Sequence, residues 1–461
     1  MRLGKSLISD AHRRQRGQTM ILVAVSLVSL LAMAALAIDV VSLYVASTEI
    51  QRAADAAALA GAKAMADSGL TSLPQSDPNF GQVQILAQSM AQSAIKAALA
   101  APNNQVAGSG VALLPGFPSF NFTANANQAI NDPRVTVTVQ RTGLPTFFAH
   151  IWGTKAASVT ASATAEAYNP ANMTNFTPIS PKGVKPWLVA NVDPRTTNSF
   201  VDPTSGNVEA GAITNSQSDF WLTADCQAGF HNHTCILQVA SPTANVTAPN
   251  NPGNAGTPNV QYVPAMVSTT ALTPSNVCHP SALPNCGLGS DYQNSIQCAD
   301  MNPYQSPQCG LSTTNAEWDN IDRINPNGPF STRQDTTEGV ECLIHATGTG
   351  LGEGQDTINP TNWPNGPMQI SPPNSATVVS TSSSIVTIPI IDVRPGKFNN
   401  PSPNVTILGF LQAFIEQMDP NDNIQIKIMN VVGCGPTPDA APTVLGGNTS
   451  SPIPVRLITP P

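Results

Sequence analysis

The longest unbroken run of apolar positions lies close to the N-terminus. Thr19 to Ile38 contains no charged residue. At about 1.5 Å per residue, a helix of that length covers about 30 Å, one bilayer core. The apolar pattern continues through "VVSLYVASTEIQRAADAAALAGAKAMA". There Val41, Tyr44, Val45, Thr48 and Arg52 fall along one helical face, and no Pro or Gly intervenes before Gly61. This predicts one helix from Thr19 to Ala66, embedded in its first half and amphipathic in its second.

The periodicity then changes several times. "SGLTSLPQSDPN" (Ser68 to Asn79) breaks the helix with Gly and Pro. Val83, Leu86, Met90, Ala94 and Leu99 recur near one face of Gly81 to Ala100, which predicts a second helix. Arg134 to Gln140, "RVTVTVQ", alternates strictly and reads as a half-buried strand. Pro145 suits the first turn of a short helix, "PTFFAHIWG". Ala157 to Ala167 alternates small and branched residues and reads as the partner strand. From Asn169 to Ser383, Pro, Asn, Thr and Ser dominate, and "VKPWLVAN" and "HTCILQVA" are the candidate strands. Order returns in Ser384–Val393, Asn404–Met418 and Asn423–Gly433, three apolar strands suited to an antiparallel sheet. A helix at the end of the middle one is the alternative.

The predicted fold class is α+β. An N-terminal transmembrane helix continues into a long amphipathic helix, followed by a small helix-plus-antiparallel-sheet module. A loop-rich, mostly-β, disulfide-pinned region and a C-terminal sheet complete the chain. The expected segments are a basic cytoplasmic head (1–18), the transmembrane helix (19–38), the helical stalk with its α+β module (39–168), the loop-rich region (169–383) and the C-terminal segment (384–461).

Composition sharpens this picture. Only 10% of the 461 residues are charged, with 42 Pro and 32 Gly, a mix that suits loop- and strand-rich extracytoplasmic segments. The 41% hydrophobic content suffices for a core. Arg2, Lys5, Arg13, Arg14 and Arg16 stand against Asp10 ahead of the apolar run, a positive-inside pattern that keeps the head in the cytoplasm. The remainder is acidic within a net charge of −8, which argues against nucleic acid as a partner.

All eight cysteines lie on the far side of the run: Cys226, Cys235, Cys278, Cys286, Cys298, Cys309, Cys342 and Cys434. An even number confined to the exported side predicts disulfides. Short loops close most easily, so nearest-neighbour pairing is the simplest expectation: Cys226–Cys235, Cys278–Cys286, Cys298–Cys309 and Cys342–Cys434. The apolar run also admits a cleaved export signal, since Ala35-Leu36-Ala37 offers a cut before Ile38. Its length and its in-phase continuation favour a retained anchor.

"RRQRGQTMILVAVSLVSLLAMAALAIDVVSLYVASTEIQRAADAAALAGA" resembles the N-terminal segment of the TadE/TadG-like proteins of Flp (tight-adherence) pilus assembly. Three pieces carry the resemblance. Arg16-Gly17 precede the run, Asp39 closes it, and Gln51-Arg52 lead into "AADAAALAGA" with Asp55 and Gly61. Val135 to Ala167 is similar to the strand, short helix and strand that follow in such proteins, and the tail resembles theirs more loosely. The resemblance implies a single-pass inner-membrane protein with its bulk outside the cytoplasm and a structural role. Two features depart from relatives. Pilin-like members carry Glu five residues after the cut Gly, where this chain has Leu22 after Gly17, and longer TadG proteins carry a metal-binding D-x-S-x-S that is absent here.

Other candidate chemistry is sparse. His231 and His233 inside "CQAGFHNHTC" suit zinc or copper by spacing. Outside the cytoplasm the flanking thiols would oxidise, leaving a small disulfide loop with two surface histidines. "DPNDN" (Asp419 to Asn423) reads as a turn, since it lacks the Gly and distal Glu of a calcium loop. Glu338, Glu341, His345 and Glu353 have no companion catalytic motif. Asp39 reads either as an acid at the membrane boundary or as a group that fixes helix depth or meets a partner helix. The small residues after Arg52 allow close backbone approach, as at small-xxx-small helix interfaces, although helix propensity alone also accounts for the Ala. Asp55 is expected on the exposed side.

The expected function is a non-catalytic assembly or anchoring component of a Flp/Tad-type pilus, without cofactor or metal. Expected partners are the inner membrane and other pilus-assembly proteins, with self-association through the N-terminal helix as an option. The alternatives are a hydrolase released by cleavage after Ala37 and a surface adhesin that binds through Asn169 to Ser383.

Overall fold

The computed structural model describes residues 6–72, 80–100, 111–122, 132–146, 156–169, 179–181, 184–193, 199–204, 220–224, 259–265, 290–298, 316–317, 332–346, 354–359, 369–371, 382–392, 404–418, 424–433, 444–445 and 453–458, with a few single residues between them. It is α+β. Helix α1 runs from Ser6–Asp67, about 90 Å at helical rise. Its sequence is rich in Ala and Leu, has no Pro, and has Gly only at Gly17 and Gly61. It stops where Ser68 turns back, its hydroxyl donating to Met65 O at 2.6 Å. Gly69 then takes φ +81, the left-handed geometry that ends helices.

The surroundings of α1 change along its length. From Met20 to Val45 its large apolar side chains are exposed, apart from half-buried Leu43. One face is covered first at Ala35 and Asp39, and from Ala46 onward it is continuously buried through Ile50, Ala53, Ala54, Ala57, Ala58, Ala62 and Met65. Two elements cover that face. The first is helix α2 (Phe80–Ala100), which buries Val83, Leu86, Ala87, Ala91 and Ile95. The second is an antiparallel sheet.

That sheet comprises β1 (Val111–Leu113), β2 (Ser119–Asn121), β3 (Arg134–Pro145), β4 (Ala156–Ala167) and a C-terminal strand, Val455–Ile458. The β3–β4 hairpin pairs Arg134 with Glu166 through to Pro145 with Ala156, with one bulge between Arg141 and Leu144. Alternation sorts its faces. Val135, Val137, Val139, Ala161, Ala163 and Ala165 join the core with α1 and α2. On the other face Thr136 pairs with Thr164, and Thr138 with Ser162, hydroxyl to hydroxyl at 2.9 Å. Pro145 is the last residue of β3, where the sequence suggested the first of a helix, and most of that short segment lies outside the described residues.

The rest of the described chain is built on a closed six-stranded barrel. Its strands are β5 (Trp187–Ala190), β6 (Phe220–Ala224), β7 (Asn259–Pro264), β8 (Ile385–Ile391), β9 (Ile407–Met418) and β10 (Ile424–Gly433). They close in the order β8-β9-β10-β6-β7-β5. The β8–β9–β10 meander is antiparallel, as the apolar runs predicted, and Asn404–Met418 is strand to its end. The β6–β7 and β5–β8 pairs are parallel. The barrel takes strands from both sides of residue 384. Val455–Ile458 (β11) goes back to β4, in the sheet of the 39–168 segment.

Barrel strands bury both faces. Trp187 and Val189 belong to the core shared with α1, while Leu188 and Ala190 belong to a second cluster with Phe410 and Val432. This is why β8 reads as a near-continuous apolar run.

Two helices pack against each other beside the barrel: α3 (Asp291–Gln297) and α4 (Thr332–Leu343). A Cβ on Gly339 would lie 3.0 Å from Ile296 Cβ, so glycine sets that close approach. Ser290 caps α3 by accepting from Gln293 N–H, and its hydroxyl donates to Asp335 Oδ2 at 2.6 Å. Burial, above all, pushes the Asp335 carboxyl up from its ordinary value. At the other end of α3, buried Lys185 donates to Ile296 O and Cys298 O, each at 2.8 Å, a cation on the negative helix terminus.

A disulfide joins Cys286 to Cys342 of α4, Cα to Cα 5.7 Å. This corrects the nearest-neighbour pairing: Cys286 does not pair with Cys278, nor Cys342 with Cys434. Loop entropy favours short closures, but the α3–α4 packing brings Cys286 to a partner 56 residues away. Cys298 is also disulfide-bonded. Cys226, Cys235, Cys278, Cys309 and Cys434 lie outside the described residues, as do His231, His233 and "DPNDN".

Candidate membrane and assembly site

The exposed half of α1 is the feature whose surroundings its own fold does not supply. The helix from Thr19 is long and apolar enough to cross a membrane, and its most apolar stretch is only 6% buried within the chain. A soluble protein rarely leaves such a surface open. Leu22, Val23, Val25, Leu27 and Val28 are all exposed and fall all round the helix, which suits a surrounding apolar solvent.

Asp39 sits at the end of this stretch and is only 3% exposed. Its carboxylate accepts the backbone N–H of Phe148, beyond the end of β3, at 3.0 Å. The acid is therefore turned away from the exposed face and tied to the module's own hairpin. This gives Asp39 a partner inside the chain, where the sequence offered a membrane-boundary acid or a partner-helix contact.

The other residues singled out on α1 have different surroundings. Arg16 and Gly17 lie within the helix. Arg52 is exposed. Asp55 is half-buried, not fully exposed, and accepts from Gln51 Nε2 at 2.8 Å. Gly61 is buried where α1 meets both α2 and β3. A Cβ there would lie 2.8 Å from Ile95 Cδ1 and 3.3 Å from Val135 Cγ1. The small residues of "AADAAALAGA" thus serve close approach within the chain: Ala53, Ala54, Ala57, Ala58 and Ala62 are all buried in the core with β3, β4 and α2.

The far end of α1 is locked to the barrel by a polar network that the sequence did not reveal. Asn430 of β10 donates to Ala66 O at 2.9 Å, satisfying a carbonyl left free by the helix end. Gln412 of β9 bridges Asn430 and the Asp67 carboxylate. Lys63 Nζ holds the other Asp67 oxygen at 2.6 Å. Ser72 and the main chain of Val431 exchange hydrogen bonds at 3.1 Å in both directions. Asn169 donates to Thr71 O and Val431 O at 3.3 and 3.0 Å. The one sequence signal was an Asn flanked by apolar residues on both sides, "IMNVV".

A second charged cluster fastens β11 to the sheet. Arg456 and Arg134 grip the two oxygens of buried Glu166, with Arg456 Nε to Oε1 at 2.7 Å and Arg134 Nε to Oε2 at 2.9 Å. The Arg456 guanidinium lies 4.6 Å from the Tyr168 ring centroid. Neighbouring Asp132 is pushed up to about 6, by burial first and then by the negative charge of Glu166. Burial also raises the Tyr168 hydroxyl.

Among the described residues, no group of three or more His, Cys, Asp or Glu is placed to hold a metal. His345 Nδ1 lies 2.9 Å from Gln355 Oε1, Glu338 and Glu341 lie on α4, and Glu353 lies outside the described residues. The sites described are thus a lipid-ready helix, its internal clamp and its junction with the barrel.

Residues 17–64 match the Tad family model, Flp pilus-assembly TadE/G-like. The match covers most of α1, from the start of the apolar stretch to the end of the small-residue face, and agrees with the resemblance read from the sequence. Comparisons with curated proteins and with solved structures find no match.

Proposed function

We propose that this chain is a bitopic envelope protein that serves assembly or anchoring of a Flp/Tad-type pilus, without catalysis. The carrying observation is that one helix holds both the Tad match and the exposed apolar stretch. Its basic head stays in the cytoplasm and its sheet and barrel lie outside. The first half of α1 anchors the chain in the inner membrane. The second half is the spine on which the exported module is built. Partners are other pilus-assembly proteins, met through the exported surfaces. The clamp at Asp39 and the junction at Asn430 support this reading, because they bind the exported module rigidly to the anchor.

A clean in-frame deletion tests the proposal, with surface pili, surface attachment and the level of pilin as readouts. Loss of pili with pilin still made is the expected result. Unchanged pili and attachment would overturn it. They would turn attention to the adhesin or released-hydrolase readings and to residues 169–383.

A further inference from the structure

We infer that the exported module has no free stalk but sits directly on the bilayer, with one face of α1, formed by Val40, Val41, Tyr44 and Val45, immersed in the lipid headgroup layer on the side of the helix opposite Phe148. The inference rests on the anchor reading and goes beyond it, because a helix can anchor a module without the module touching lipid.

Three observations carry it. First, the exposed apolar surface outlasts the hydrocarbon core. Thr19 to Ile38 already fills about 30 Å, yet exposed apolar side chains continue to Val45, about 10 Å further. That excess spans the whole interfacial layer on one side of a bilayer, about 5–7 Å deep. Tyr44 is 74% exposed there, at the level where amphipathic aromatic rings gather. The same face turns polar at Thr48 and Arg52, both exposed.

Second, the acid inside this stretch does not interrupt the face. Asp39 points to the opposite side and is covered, its carboxylate taken by the Phe148 N–H at 3.0 Å. A charge facing acyl chains would be costly, and the fold removes it from that side. Third, the covered side begins within the membrane-length stretch. Ala35 and Asp39 are both buried, and Phe148 reaches Asp39, so the module's own backbone stands at the level where the hydrocarbon ends. With the hairpin on one side of α1 and the apolar strip on the other, lipid is the occupant continuous with the anchor below.

Spin labels on full-length protein in phosphatidylethanolamine and phosphatidylglycerol vesicles test this. Single cysteines are placed by Val28→Cys, Val41→Cys, Tyr44→Cys and Arg52→Cys, with the unchanged chain as the labelling blank and circular dichroism as the folding check. Collision with oxygen, which partitions into lipid, is compared with collision with a water-soluble nickel chelate. The inference expects positions 28, 41 and 44 to favour oxygen, by several-fold over position 52. If position 28 favours oxygen while 41 and 44 match position 52, the module stands clear of the membrane and the inference fails while the anchor survives. If 41 and 44 are shielded from both reagents, a protein partner covers the strip and the inference is again overturned. If position 28 itself favours the chelate, the anchor reading fails first.

Discussion

The two halves of α1 are one continuous helix with opposite requirements. The first half exposes Met, Leu, Val and Ile. The second buries a face of Ala with Gly61 at its centre. Both are apolar, so hydrophobicity alone does not separate them. Side-chain size does. Large side chains fill lipid and need no fixed neighbour. Small ones let a sheet and a second helix come close to the backbone, as the 2.8 Å separation between a Gly61 Cβ and Ile95 shows. A run of Ala after a run of Leu and Val is thus the sequence mark of a helix passing from an exposed apolar stretch into its own protein core.

The contrast breaks most visibly under matched substitutions. Ala57→Leu puts a large side chain into the closed interface and is expected to lower stability by about 2–3 kcal/mol, through overpacking. Ala34→Leu, on the exposed half, is expected to be nearly neutral. Chemical denaturation of the two detergent-solubilised variants against the parent measures the difference. Asn430→Leu leaves Ala66 O and Gln412 Oε1 without the Asn430 donor and is expected to cost about 2 kcal/mol by the same measurement. It would also speed protease release of the barrel from the helix.

Asp39→Ala removes the acceptor for Phe148 N–H, with an expected loss of about 1 kcal/mol and faster amide exchange near Phe148. The smallest effect is in pH dependence. The Asp132 carboxyl titrates at about 6 in the folded chain against 3.8 as its ordinary value. Between those values the folded chain holds a proton that the unfolded chain has released. This group therefore lowers stability as pH rises from about 4 to about 6, and the loss is complete above that window. Glu166, Arg134, Arg456 and the Asn169 backbone N–H face it. Asp132→Asn is expected to flatten the thermal midpoint over that window and raise it near neutral pH. An unchanged profile would show that Asp132 does not control it.

The sequence made α1, α2, the β3–β4 hairpin and the β8–β9–β10 meander legible because each rests on local periodicity. The barrel's closure was not legible. It depends on parallel pairs such as Ile390 with Val189, about 200 residues apart, and no local pattern encodes such a partner. The return of Val455–Ile458 to β4 was missed for the same reason. Asp39 was recognised as important, but its partner, the Phe148 amide, is a main-chain group that no residue type advertises. The pairs Cys278–Cys286 and Cys342–Cys434 failed because loop entropy describes the unfolded chain, whereas Cys286 and Cys342 are chosen by the docking of α3 on α4.

The most direct test of the central claim, one uncut helix joining lipid anchor to exported module, is the N-terminal mass of the chain in alkali-washed membranes of the native host. The account predicts that it stays in the membrane pellet with a terminus upstream of Thr19. A mature protein beginning at Ile38 and found in the soluble fraction would contradict it.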